Sequence, residues 1–186
     1  MRNGASFITV QPFNVDDVQA ASEPISRENE SMAKPTSLGM AALFSDLIGR
    51  HVNFSEQLNA IPQNGKQIYC AYLIKPMDSY RVVKADLSLL SSFAGALIGL
   101  SPEAIKERVA EARLDETLRD ALHEVMNIAS RIVTLEHRGV FSGMYEDPGQ
   151  LPPEARSTVR YPCYSSYYKV TVDGYEGGAF SLLAPF

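Results

Sequence analysis

The stretch DALHEVMNIASRIV, residues 120–133, decides how the chain is read. Ala121, Leu122, Val125, Ile128, Ala129 and Ile132 recur at helical spacing, with no Gly or Pro between them. That pattern predicts a helix with one dry side. The polar residues are in phase as well. At about 100° of turn per residue, Asp120, Glu124 and Asn127 fall within about 60° of one another, away from the apolar face. Arg131 shares their side, where it would steady Asn127 or touch the same partner. Acidic residues beside an Arg on a helix surface ordinarily serve solvation, and composition alone does not lift the triplet above that.

Working outward, this helix is expected from about residue 115 to about residue 136. Ahead of it, Ser37 reads as the N-cap of a helix whose apolar face is Leu38, Ala41, Ala42, Phe44, Leu47 and Ile48, closed by Gly49. HVNF (51–54) follows as a short extended piece. QIYCAYLIK (67–75) and YRVVKADL (80–87), joined at PMDS (76–79), predict a β-hairpin. SLLSSFAGALIGL (88–100) predicts an apolar helix, and Ser101 with Pro102 opens another. Beyond the long helix, Gly139, DPG (147–149) and LPPE (151–154) predict an extended loop or broken connection. YSSYYKVTV (164–172), the turn DGYEGG (173–178) and AFSLLAPF (179–186) predict a second hairpin. Residues 1–36 are Ser-, Glu- and Asn-rich and read as a flexible tail, with SFITVQPF (6–13) open as a strand or docking segment. The folded domain is expected over residues 37–186.

Helix, connection and hairpin thus occur twice, over 37–86 and over 115–186, which predicts an internally duplicated α+β fold. AALFSDLIG can be laid on DALHEVMNI, with Ala42 on Ala121, Leu43 on Leu122 and Leu47 on Met126. Asp120, Glu124 and Asn127 then fall on Ala41, Ser45 and Ile48, so only the second copy carries the polar triplet.

The bulk properties exclude several function classes. A chain of 186 residues with 45% apolar and 21% charged residues is long enough for one hydrophobic core and has a globular composition. A net charge of −5 gives no broad attraction to nucleic acid or anionic lipid. FAGALIGL (93–100) falls short of the ~20 residues that cross a bilayer, and MRNGASFITVQPF lacks a secretory pattern, so a cytoplasmic protein is expected. Cys70 and Cys163 read as reduced thiols, and His51, His123 and His137 lack metal-ligand spacing. No metal or cofactor of its own is expected. Arg156 and Arg160 with DGYEGG half-match the cyclic-di-GMP receptor pattern of PilZ domains. Tyr175 stands where that pattern needs Ser, and too little chain remains for the barrel.

D-x-x-x-E-x-x-N on a helix opening Asp-Ala-Leu resembles the signature of the CheC/CheX family, phosphatases of the chemotaxis regulator CheY. ADLSLLSSFAGALIGLSPE (85–103) is similar to that family's preceding helix, and DGYEGGAFSLLAPF (173–186) to its last hairpin. The resemblance covers residues 37–186. It implies a CheC-like fold in which duplicated helix-plus-hairpin units place long helices on a mixed, mainly antiparallel sheet. It also implies a CheY-like response regulator as partner, one that supplies its own Mg²⁺ and Lys. Asn127 would position the attacking water, Glu124 would dock on the regulator's Lys, and Asp120 and Arg131 would support docking. The single signature helix is closer to CheX than to CheC. Ile128, Ala129 and Ser130 follow Asn127 in the turn where many members have a small residue, often Gly, and Pro148 and Pro152 match no fixed family position. The alternative implied is a non-catalytic, flagellar-switch-like scaffold that binds a response regulator or another signalling protein. An exposed edge strand would also allow a homodimer.

Overall fold

Caps and turn residues set the ends of the elements. The computed structural model describes residues 35–62, 65–112, 114–134 and 138–185; the tail except Pro35 and Thr36, together with Glu136 and His137, lies outside them. In chain order the elements are α1 (Ser37–Ile48), β1 (Val52–Gln57), β2 (Gln67–Lys75), β3 (Ser79–Asp86), α2 (Leu87–Leu97), α3 (Pro102–Ala110), α4 (Glu116–Val133), β4 (Arg138–Tyr145), α5 (Pro153–Arg160), β5 (Tyr164–Val172) and β6 (Tyr175–Ala184). Thr36, rather than Ser37, caps α1, its Oγ1 accepting from Gly39 N at 3.0 Å. Gly49 closes that helix at φ 65°, where a Cβ would be strained. Ser101 caps α3 as its sequence required, accepting from Ala104 N at 3.2 Å.

The connection expected to be loop is instead β4, a 3-10 turn (Pro148–Gln150) and α5. Gly139 does not break β4; it makes room for Thr134, whose Cγ2 would lie 1.9 Å from an added Cβ. Pro153 occupies the first turn of α5, where its missing N–H leaves nothing unsatisfied, so PPE starts a helix.

The six strands form one sheet in the order β1-β5-β6-β3-β2-β4, and the expected mainly antiparallel sheet is antiparallel at every pairing. Exchanging α1-β1-β2-β3 for α4-β4-β5-β6 turns that order into its own reverse. The duplication therefore appears as a pseudo-two-fold, with each first strand lying beside the other unit's hairpin and β3 paired to β6 at the centre. One face carries α1, α2 and α4 over an aromatic cluster in which Phe44 stacks on Phe93 at 4.7 Å and Phe54 meets Phe180 at 5.3 Å. On the other face Leu151, just before α5, and Ala155 of α5 pack against Tyr69, Ala71, Val82 and Leu183. Among the described residues no helix is long and apolar enough to cross a membrane.

Candidate functional site

The site is built on α4. Leu118, Ala121, Leu122, Val125, Met126, Ala129 and Val133 are buried, and their recurrence turns one stripe of the helix onto the sheet. The opposite side presents Asp120, Glu124, Asn127 and Arg131, all exposed. With a rise of about 1.5 Å per residue, the carboxylate of Glu124 and the amide of Asn127 start from points about 4.5 Å apart along the axis. None of the four side chains makes a hydrogen bond or ion pair among the described residues. Arg131 in particular does not bond Asn127. The four groups are presented outward with their hydrogen-bonding capacity unspent.

The helix beneath them is tied down at both ends. Asp115 caps it, accepting from Leu118 N at 2.8 Å and pairing with Arg108. That backbone bond and the guanidinium hold the Asp115 carboxyl below its usual range. Arg119, in the first turns, pairs with Glu146, which also accepts from Lys66 Nζ at 2.5 Å. Lys66 first, then Arg119, hold the Glu146 carboxyl low. Lys66 also donates to Ala112 O at 2.8 Å.

Two anchors come from the sheet. The buried Tyr72 hydroxyl donates to Met126 O at 3.0 Å, one residue before Asn127. The Arg81 guanidinium, 3% exposed, donates to Val133 O at 2.8 Å, at the negative end of the helix dipole. Neither anchor was found from sequence, because both act on backbone carbonyls more than fifty positions away. His123 leaves the triplet's face and sets its ring edge-on to Phe141 of β4 at 5.0 Å. Arg156, at the half-matched receptor pattern, donates to Gly149 O at 2.6 Å and Leu151 O at 3.1 Å and so fastens α5 to the loop before it. Among the described residues no cluster of three His, Cys, Asp or Glu side chains is placed to hold a metal ion.

Burial corrects the register between the two copies. Ile48 is 5% exposed and cannot correspond to the exposed Asn127. Buried positions coincide when Met40, Phe44 and Ile48 are laid on Val125, Ala129 and Val133. The exposed pairs Leu38–His123, Ala42–Asn127 and Asp46–Arg131 then coincide too. In this register Gly39 stands at the position of Glu124 and Ala42 at that of Asn127, so the first copy is blank where the second is polar.

No family model and no curated protein matches the chain by sequence. Solved structures match by shape. A FliM–SpeE complex from H. pylori aligns at a TM-score of 0.56 and 11% identity, over 80% of this chain and 81% of that one. A FliM middle domain, also from H. pylori, aligns at 0.50 and 13%, over 80% and 84%. The fold is the CheC-like fold. A CheX–CheY complex from Borrelia burgdorferi with BeF3 and Mg²⁺ aligns at 0.44 and 12%, over 76% and 90%. In this chain the CheC-like fold holds one polar helix face outward, and its pseudo-symmetric counterpart has Gly39 and Ala42 at the positions of Glu124 and Asn127.

Proposed function

We propose that the chain binds a CheY-like response regulator through α4 and hydrolyses its aspartyl phosphate. The observation that carries this reading is the outward, unpaired pair Glu124 and Asn127 on a helix anchored immediately beneath them by Tyr72. Glu124 pairs with the regulator's active-site Lys and sets the depth of insertion. Asn127 holds a water through its carboxamide, in line with the P–O bond to the aspartate. The water oxygen bonds to phosphorus, the aspartyl oxygen leaves as a carboxylate, and inorganic phosphate departs. An amide is a poor base, so its contribution is position rather than proton abstraction. Mg²⁺ belongs to the regulator and neutralises the phosphoryl oxygens; Asp120 and Arg131 support docking at the rim. Decay of a phosphorylated CheY-like regulator, with and without the chain, tests the reading, and acceleration is the expected result.

The second reading is a non-catalytic binding module. The FliM likeness in fold favours it, as does Ile128, which follows Asn127 in the turn where many members of the resembled family have a small residue, often Gly. In that case the regulator binds through Glu124 and its phosphate decays at the unassisted rate.

A further inference from the structure

The sheet face opposite the triplet carries a second group of polar side chains with no assigned task. Lys84 of β3 lies across from Ser181 of β6, and Ser181 lies across from Tyr167 of β5. Directly opposed residues on one face have Cβ atoms about 5 Å apart, so Lys84, Ser181 and Tyr167 form a row across three strands on one face. None of the three makes a hydrogen bond or ion pair among the described residues. All three open onto a cavity of about 170 Å³ whose remaining walls are Ala60, Ile61, Val159, Pro162 and Leu183. Ile61 divides it from a larger hollow of about 400 Å³ over β5 and β6.

Asp86 acts on the amine only through its charge, because its oxygens are bonded elsewhere. One of its oxygens accepts from Gln67 Nε2 at 2.5 Å and the other from Ala179 N at 2.7 Å. The Lys84 ammonium lies over the Tyr69 ring, 6.0 Å from its centroid, and is half-buried. A half-buried cation beside two free hydroxyl donors, walled by aliphatic side chains, is complementary to an anion with an apolar tail. Burial lowers the lysine's proton affinity, and an arriving anion would restore it.

We infer that this cavity binds a short-chain monocarboxylate, its carboxylate on Lys84, Ser181 and Tyr167 and its tail along Ile61, Val159 and Leu183. The site lies across the sheet from α4 and does not depend on the phosphatase reading.

Hexanoate, hexanol and hexylamine are titrated into the full chain while amide shifts of β3, β5 and β6 are followed by NMR. Saturable binding of hexanoate, with hexanol at least about tenfold weaker and hexylamine without effect, is the expected result. Lys84→Met should weaken hexanoate by about tenfold or more while leaving hexanol unchanged, and Lys84→Arg should retain most of the affinity. The comparison of three ligands on the unaltered protein stands even if a variant misfolds. Equal binding of hexanoate and hexanol, no binding of hexanoate, or shifts that map away from Ser181 and Tyr167 would overturn the inference.

Discussion

Replacing Asn127 by Ala should move stability and activity in opposite directions. The side chain is exposed and makes no hydrogen bond, so its removal opens no cavity and strands no partner. Ala exceeds Asn in helix propensity by about 0.5 kcal/mol, and in a domain of this size that raises Tm by about 1–2 °C. Hydrolysis behaves differently. Met126 O, held by Tyr72 at 3.0 Å, fixes the backbone from which the amide projects, so in the proposed mechanism a water held by that amide would have a defined position. Loss of that positioning should slow assisted phosphate release by about 10²-fold, equivalent to about 2.7 kcal/mol of barrier. The assay is single-turnover decay of phosphorylated regulator at a concentration of chain that saturates binding, with calorimetric melting of the same preparations. A variant that accelerates decay as well as the unaltered chain refutes the water-positioning role. A variant that loses activity together with several degrees of Tm refutes the claim that Asn127 is free of structural duty.

Other consequences are open to measurement. Glu124→Lys should leave Tm within about 2 °C but weaken regulator binding by at least tenfold, because it sets cation against cation at the docking point; titration by fluorescence anisotropy reads this directly. Asp115 and Glu146 have folded-state pKa values below their ordinary 3.8 and 4.5. Their stabilisation is therefore complete above those values and is lost as pH falls through the folded ones. Urea midpoints should decline on the acid side, and Glu146→Gln should flatten part of that decline. Cys163 is exposed whereas Cys70 is buried with its thiol pushed upward by desolvation, so maleimide should modify one thiol of the native protein. Two thiols reacting at similar rates would contradict the packing of β2.

Much of the fold could be read because the central hairpins advertise themselves. QIYCAYLIK and YSSYYKVTV are dense in β-formers, and their turns are marked by Pro, Asp and Gly, so β2, β3 and β5 fall where the pattern puts them, while β6 starts at Tyr175, inside the stretch DGYEGG read as the turn. Edge strand β4 was hidden by Gly139, which signals a break when its neighbours in space are unknown, and it also carries an irregularity at Gly143. Thr134 packed against Gly139 and the register shift at Ala71 in the facing strand account for both. Helix α5 was hidden by two prolines read as a stop when they are a start. At the site, helical phase alone gathered Asp120, Glu124 and Asn127, since spacing along one helix needs no tertiary information. The anchors Tyr72 and Arg81 do need it. A hydroxyl or guanidinium aimed at a distant carbonyl leaves no periodic trace in the chain.

The pseudo-two-fold also accounts for the presence of one polar face rather than two. In the register set by burial, the equivalents of Asp120, Glu124 and Asn127 are Pro35, Gly39 and Ala42. Helix α1 has 12 residues against 18 in α4, and the shortening is all at its start. Pro35 therefore precedes the helix, where the acid at that position of α4 already has a full turn of helix before it. Gly39 falls in the first turn, its N–H held by Thr36 Oγ1, and a Cβ there would lie 2.9 Å from that oxygen and 3.2 Å from Cδ1 of Ile132 on α4. A Glu at position 39 would have to displace the cap that starts the helix and the contact that packs it against its counterpart. Restoring Glu and Asn at 39 and 42 should thus lower stability through the cap, by about 1 kcal/mol, before it adds any function. The first copy thus lacks the polar groups at the level of helix length, and among the described residues α4 has the turns on which the three are displayed.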